Sequence, residues 1–126
     1  MIDVHIMHRT IGAIIELHRQ MGPGLLESAY EECLARELSI RGIRFERQKS
    51  IPVVYKGIKL ECGYRIDLLV EHRIVVELKS IAEIAPIHEA VVLTYLKLSG
   101  NTLGLLIKTS ARLRLLPYRD TLKRDH

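Results

Sequence analysis

The 126-residue chain contains no tryptophan, one phenylalanine and two cysteines. With so few large aromatics it lacks the stacking platform on which many single-strand binders lay successive bases. Cys33 and Cys62 stand 29 residues apart with no C-x-x-C spacing, which argues against both a disulfide framework and a structural zinc site. Each is expected to be a small buried hydrophobe. Long hydrophobic runs are missing too. The apolar stretches are a few residues long, such as Leu103 to Ile107 with its glycine, far short of the ~20 that cross a bilayer. The N-terminal segment carries His5, His8 and Arg9, then Glu16 inside a helical pattern, so it has no unbroken apolar signal core. The expected location is cytoplasmic, with no membrane partner. No repeat, low-complexity tract or Ser/Gly linker divides the sequence, and its length fits one domain.

What is present is an ordinary globular composition, 48% hydrophobic and 27% charged, enough to bury a core. The formal net charge is +4 and the pI about 9.2. Basicity points to an anionic partner only if it lies where that partner docks. Residues 1–107 carry thirteen basic and thirteen acidic side chains, whereas residues 108–126 carry six basic and two acidic ones. The whole excess therefore sits in the last nineteen residues. A neutral core would still meet a phosphate backbone through local arginines such as Arg41, Arg44, Arg47 and Arg65.

From His5 to Met21, apolar residues including Ile11, Ile14 and Ile15 recur at helical spacing until Gly22-Pro23-Gly24 ends the pattern. A second helix is predicted from about Leu25 to Arg41, with Gly42 as its stop. The period then changes. Ile43 to Glu46, Ile51 to Tyr55 and Ile58 to Cys62 are β-prone runs, the last two joined by Lys56-Gly57 as a hairpin turn. Tyr64 to Val70 and Ile74 to Lys79 form another hairpin. Pro86 opens a third helix over Ile87 to Ser99, and Leu103 to Ile107 is a last strand covered on both faces. The expected order is ααββββαβ followed by a tail, an α/β (α+β) arrangement.

Asp67 interrupts the otherwise apolar Ile66 to Val70. Ten residues on, Val76-Glu77-Leu78-Lys79 places Glu77 and Lys79 on one strand face. A two-residue turn at Glu71-His72 would set Asp67 on the face away from Glu77. A three-residue turn at Glu71-His72-Arg73 would set Asp67 opposite Glu77 and Arg65 opposite Lys79. The second register is predicted, a bulge serving the same end. Two facing carboxylates repel unless a cation sits between them, and magnesium accepts such hard oxygen ligands together with phosphate oxygens. Lys79 would then orient a water or stabilise charge on a phosphate, a geometry suited to phosphodiester hydrolysis. By spacing alone, the same residues read as a structural ion pair on a partly exposed sheet face.

Four segments occur in order: Gly24-Leu25-Leu26-Glu27-Ser28-Ala29-Tyr30, Tyr64-Arg65-Ile66-Asp67, Val76-Glu77-Leu78-Lys79-Ser80, and Ile87-His88-Glu89-Ala90 with Leu93-Thr94-Tyr95-Leu96. Together they resemble the GxxExxY family of the PD-(D/E)XK nuclease superfamily, from about Ile11 to Ile107. The resemblance implies a restriction-endonuclease-like central mixed sheet flanked by helices, with the acids at one edge. It implies a metal-dependent nuclease acting on DNA or RNA with Mg²⁺ or Mn²⁺, in which Glu27, Asp67 and Glu77 hold the metal and Lys79 assists. The alternative is a weakened nuclease fold that binds nucleic acid or a protein partner. A homodimer is compatible with either.

Glu27, in the first turn of its helix, also suits the macrodipole there, worth ~0.3–1 kcal/mol without any metal. Candidate substrate contacts are Tyr30, Arg65, Tyr95, His18 and His88. His18 lies near the apolar face of the first helix, where a histidine is more often a satisfied core-edge residue. Two positions depart from the family. Related nucleases of the RecB-like branch carry Q-x-x-x-Y on the third helix, where this chain has Val91 before Tyr95. After Ile107 the family's continuation gives way to a basic segment, so residues 1–107 read as one nuclease-like domain and 108–126 as a basic tail.

Overall fold

The computed structural model describes residues 4–81, 83–109 and 115–119. Helix α1 (Val4–Met21) and helix α2 (Glu27–Ile40) lead into strands β1 (Phe45–Ser50), β2 (Val53–Tyr55), β3 (Ile58–Leu60), β4 (Arg65–Val70) and β5 (Ile74–Lys79). Helix α3 (Pro86–Ser99) and strands β6 (Leu103–Lys108) and β7 (Leu115–Arg119) follow. Five strands separate α2 from α3, one for each of the five β-prone runs and one more than the order ααββββαβ counts; the first is displaced to Phe45–Ser50, and Val53–Tyr55 with Ile58–Leu60 closes the hairpin expected at Lys56-Gly57. The expected tail holds a further strand: β7 pairs antiparallel with β6.

The five-stranded sheet runs β1-β4-β5-β6-β7, with β5 and β6 parallel and the other neighbours antiparallel. A parallel pair needs a crossover, and α3 supplies it. One face of the sheet, through Leu68, Val70, Ile74, Val76, Leu78, Leu103, Leu105 and Ile107, packs on Ala13, Ile14 and Leu17 of α1 and Tyr30, Leu34 and Leu38 of α2. The other face, through Ile66, Leu69, Val75 and Leu106, packs on Val92, Tyr95 and Leu96 of α3. The apolar runs Ile74–Val76 and Leu103–Ile107 of the central strands follow from this sandwich, since both faces of β5 and β6 are covered there. Gly104 marks the closest approach of α3: a Cβ there would lie 3.0 Å from Val92 Cγ1 and 3.3 Å from the Val75 carbonyl oxygen.

The β4–β5 turn is the three-residue one predicted. Val70 pairs with Ile74, Leu69 with Val75 and Leu68 with Val76. Glu71 and His72 both take left-handed backbone (φ 51° and 59°). Glu71 is held there by Arg44: the Glu71 N–H donates to the Arg44 carbonyl (2.9 Å) and the Arg44 N–H to Glu71 Oε2 (2.8 Å). The cysteines divide. Cys33 is half-buried against the α1–α2 core, but Cys62, beyond the short β3, is exposed and not the buried hydrophobe expected.

Candidate active site

The ladder between β4 and β5 stops at Leu68 and Val76. The next pair in that register would be Asp67 and Glu77, and there side chains replace backbone partners. The Asp67 N–H donates to Glu77 Oε1 (2.9 Å), and the Leu78 N–H donates to Asp67 Oδ2 (2.8 Å). The sequence predicts the register correctly but not this opening. Its cause lies in β4, which turns over at Asp67: Ile66 packs toward α3, whereas Leu68, two residues on, packs toward α1 and α2. A regular strand would keep both on one face. The predicted shared face for Arg65 and Lys79 therefore fails, because the alternation of β4 is broken between them.

On the other side of β4, strand β1 yields at the same level. Arg47 pairs with Leu68 and Lys49 with Ile66, while Gln48 between them has left-handed backbone (φ 50°). Its amide donates to Glu31 Oε1 (2.7 Å) and to Asp67 Oδ1 (3.3 Å). Glu31, nearly buried on α2, also accepts from Arg47 Nε (3.0 Å). Gln48 and Glu31 are site residues that sequence reasoning missed. The available signal was an acid on the inward side of a helix, a placement rare without partners. Asp67 and Gln48 open onto a cleft of ≈ 750 Å³ lined also by Glu27, Glu31, Glu32 and Arg47.

The electrostatics of the two central acids are unusual. Glu77 is 4% exposed. Burial, and next the charge of Asp67, push its carboxyl up to about 8, against the opposing pull of the Asp67 N–H and Lys79. Burial likewise raises Asp67, while hydrogen bonds from Leu78 and Gln48 lower it. Glu27 enters from the start of α2: its Oε2 accepts from the Ser80 N–H (2.8 Å), fastening the helix to the end of β5. Its charge acts on both Asp67 and Glu77. Lys79 lies one pleat beyond Glu77, half-buried at the end of β5.

The remaining candidates divide by position. Tyr95 of α3 is 7% exposed, accepts a hydrogen bond from the Arg65 backbone N–H and lies within the fields of Glu77 and Asp67. Burial raises its phenol. Tyr64 packs edge-on against it, with ring centroids 6.0 Å apart. Arg65 is exposed beside this pair. Tyr30 is fully buried, and its hydroxyl lies 2.7 Å from His18 Nε2. Burial lowers the His18 imidazole and raises the Tyr30 phenol, so both stay neutral as a packed pair between α1 and α2. His88 caps its own helix, its Nδ1 accepting from the Ala85 N–H (2.8 Å). Val91 is half-buried against the α3 core and brings no polar group.

The pattern of the PD-(D/E)XK nuclease superfamily matches residues 4–116. The chain belongs to that superfamily. The match extends past Ile107 and, with β7, sets part of the basic segment within the fold. No curated protein and no solved structure matches the chain. Superfamily membership makes a nuclease-type function with a nucleic-acid substrate the general expectation, and such nucleases generally use divalent metal ions. No described helix is long and apolar enough to cross a membrane.

The residues present fit such an ion as a two-carboxylate site. Among the described residues no group of three His, Cys, Asp or Glu side chains converges as a ready-made cage. Each central acid gives one oxygen to a backbone N–H across the opened ladder, which leaves Glu77 Oε2 and Asp67 Oδ1, the latter also accepting from the Gln48 amide at 3.3 Å, as the oxygens available to an ion. These are hard oxygens on a buried and a half-buried acid whose pKa values are both raised by burial, and magnesium is commonly held by one or two carboxylates completed by water and phosphate oxygens.

Proposed function

We propose that the protein is a metal-dependent nuclease in which Asp67 and Glu77 hold Mg²⁺ or Mn²⁺, Glu27 joins or supports them, and Lys79 serves the reaction. The observation that carries the reading is the pair of acids, Glu77 buried and Asp67 half-buried, presented through the opened β4–β5 ladder in a chain of the PD-(D/E)XK superfamily. When bound, the ion would polarise a phosphodiester and ease ionisation of a water. The protein's own residues do the rest. The Leu78 and Asp67 N–H groups fix the two carboxylates, and Gln48 steadies Asp67 from β1. Lys79, a cation one pleat from Glu77, would orient the attacking water or offset charge developing on the phosphate. Tyr95 flanks the acids on the α3 side, its phenol oxygen met by the Arg65 backbone N–H. The Gly24-Leu25-Leu26-Glu27-Ser28-Ala29-Tyr30 segment supports placement in the GxxExxY family, with Glu27 as its acid. All these residues come from one chain, so the reading requires no homodimer.

The test is divalent-dependent cleavage of DNA and RNA. Glu77→Ala and Lys79→Ala are each expected to lower it by at least 10²-fold, the scale of losing a positioned catalytic group. Activity persisting in both would place the chemistry elsewhere. A second reading, a nuclease fold that binds nucleic acid without cutting it, is favoured by Val91, which offers α3 no hydrogen-bond donor. Metal uptake without cleavage would select it.

A further inference from the structure

Beside Lys79, across the parallel β5–β6 ladder, stands Lys108. The pairing is direct: Glu77 lies opposite Leu106, Leu78 opposite Ile107 and Lys79 opposite Lys108. Facing sides follow from the packing. In β6, Leu103, Leu105 and Ile107 face α1 and α2, whereas Leu106 faces α3 and Gly104 abuts Val92 of that helix. Alternation carries Lys108 to the α3 side, where alternation in β5 also carries Glu77 and Lys79. Two ammonium groups thus share one face of neighbouring strands, both half-buried. Among the described residues neither has an ion-pair partner.

Like charges directly opposite in a ladder are destabilising, and an anion placed between them removes the penalty. We propose that Lys79 and Lys108 form a two-lysine phosphate site at the C-terminal ends of β5 and β6, one pleat from Glu77. This rests on the nuclease reading for the source of the phosphate, a phosphodiester of the nucleic-acid strand. Lys108 is then a positioning residue: it grips a phosphate beside Lys79 and fixes where the strand crosses the acids. Lysine suits the role as a compact point charge with three donors.

Two arms test the pair and its source. In the first, thermal unfolding of the full chain is compared in sodium phosphate and in sodium chloride of equal ionic strength. Inorganic phosphate should raise the Tm of the wild type beyond chloride, and the gain should vanish in Lys108→Ala and in Lys79→Ala. An equal gain in Lys108→Ala, or none in the wild type, overturns the site. In the second, a labelled DNA oligonucleotide is titrated at several salt concentrations in the Asp67→Asn background, where cleavage does not deplete the probe. Adding Lys108→Ala should make the slope of log affinity against log salt shallower by ~0.7 for a single strand or ~0.9 for a duplex, one phosphate contact. An unchanged slope, with tight binding retained, removes the nucleic-acid strand as the source. Failure of the nuclease reading shows separately, as absence of wild-type cleavage and metal uptake, and leaves the phosphate arm to decide the lysine pair.

Discussion

Glu77 concentrates the tension of the site. Its carboxyl is buried beside Asp67 and pushed up to about 8, from an unfolded value near 4.5. A carboxyl whose folded pKa is raised favours the native state while protonated. Its contribution is therefore full below about pH 4.5 and is lost as pH rises toward 8. Without divalent metal, the wild type should lose stability across that window, by a few kcal/mol at most from this group. Glu77→Gln keeps the acceptor for the Asp67 N–H and removes the charge, so it should flatten the decline and unfold at a higher temperature than wild type at pH 8. Thermal unfolding from pH 5 to 8 in a chelator checks this. A parallel decline in both proteins would mean that another group sets the slope.

Asp67, Glu77 and Lys79 were legible because charge in an apolar strand needs a reason. Gln48 was not, since a glutamine in a mixed strand carries no pattern, and its left-handed backbone is fixed by where β1 meets the twist in β4. Tyr30 and His18 are candidate substrate contacts by sequence. The fold gives their polar atoms to each other inside the α1–α2 core, because a buried hydroxyl and imidazole each need one partner.

At the scale of elements, periodicity located α1, α2, α3 and the β4–β5 hairpin within a few residues, and turn chemistry gave the hairpin register. What periodicity cannot express is a strand that changes face midway. Ile66 and Leu68 look equivalent in sequence and pack on opposite layers, and the acid between them occupies the break. That break depends on a sheet held rigid on both sides, which makes the α3 contact at Gly104 informative. A methyl there meets Val92 at 3.0 Å and the Val75 carbonyl oxygen at 3.3 Å, so α3 or β5 must give way. Gly104→Ala should cost ~1–3 kcal/mol in denaturant unfolding, the usual range for overpacking. A neutral result would show that α3 sits more loosely on the sheet than these distances imply.

At the scale of the whole molecule, the charge excess of residues 108–126 falls in a segment that contributes an edge strand. β7 pairs with Leu103–Ile107 of β6, so residues 115–119 belong to the sheet. Deleting residues 110–126 would strip that edge and expose the backbone groups of an apolar central strand. The shortened chain should unfold at lower temperature and aggregate. An unchanged Tm and monomeric elution would show that β6 tolerates an open edge.

The proposed chemistry depends on two carboxylates, Glu77 buried and Asp67 half-buried, that take up a divalent cation, and calorimetric titration of Mn²⁺ into the intact protein at pH 6, 7 and 8 tests that most directly. Metal must displace the proton that Glu77 retains up to about pH 8, so one binding event is predicted whose affinity strengthens with pH and which disappears in both Asp67→Asn and Glu77→Gln. No binding at millimolar Mn²⁺, or binding undiminished in both variants, would contradict it.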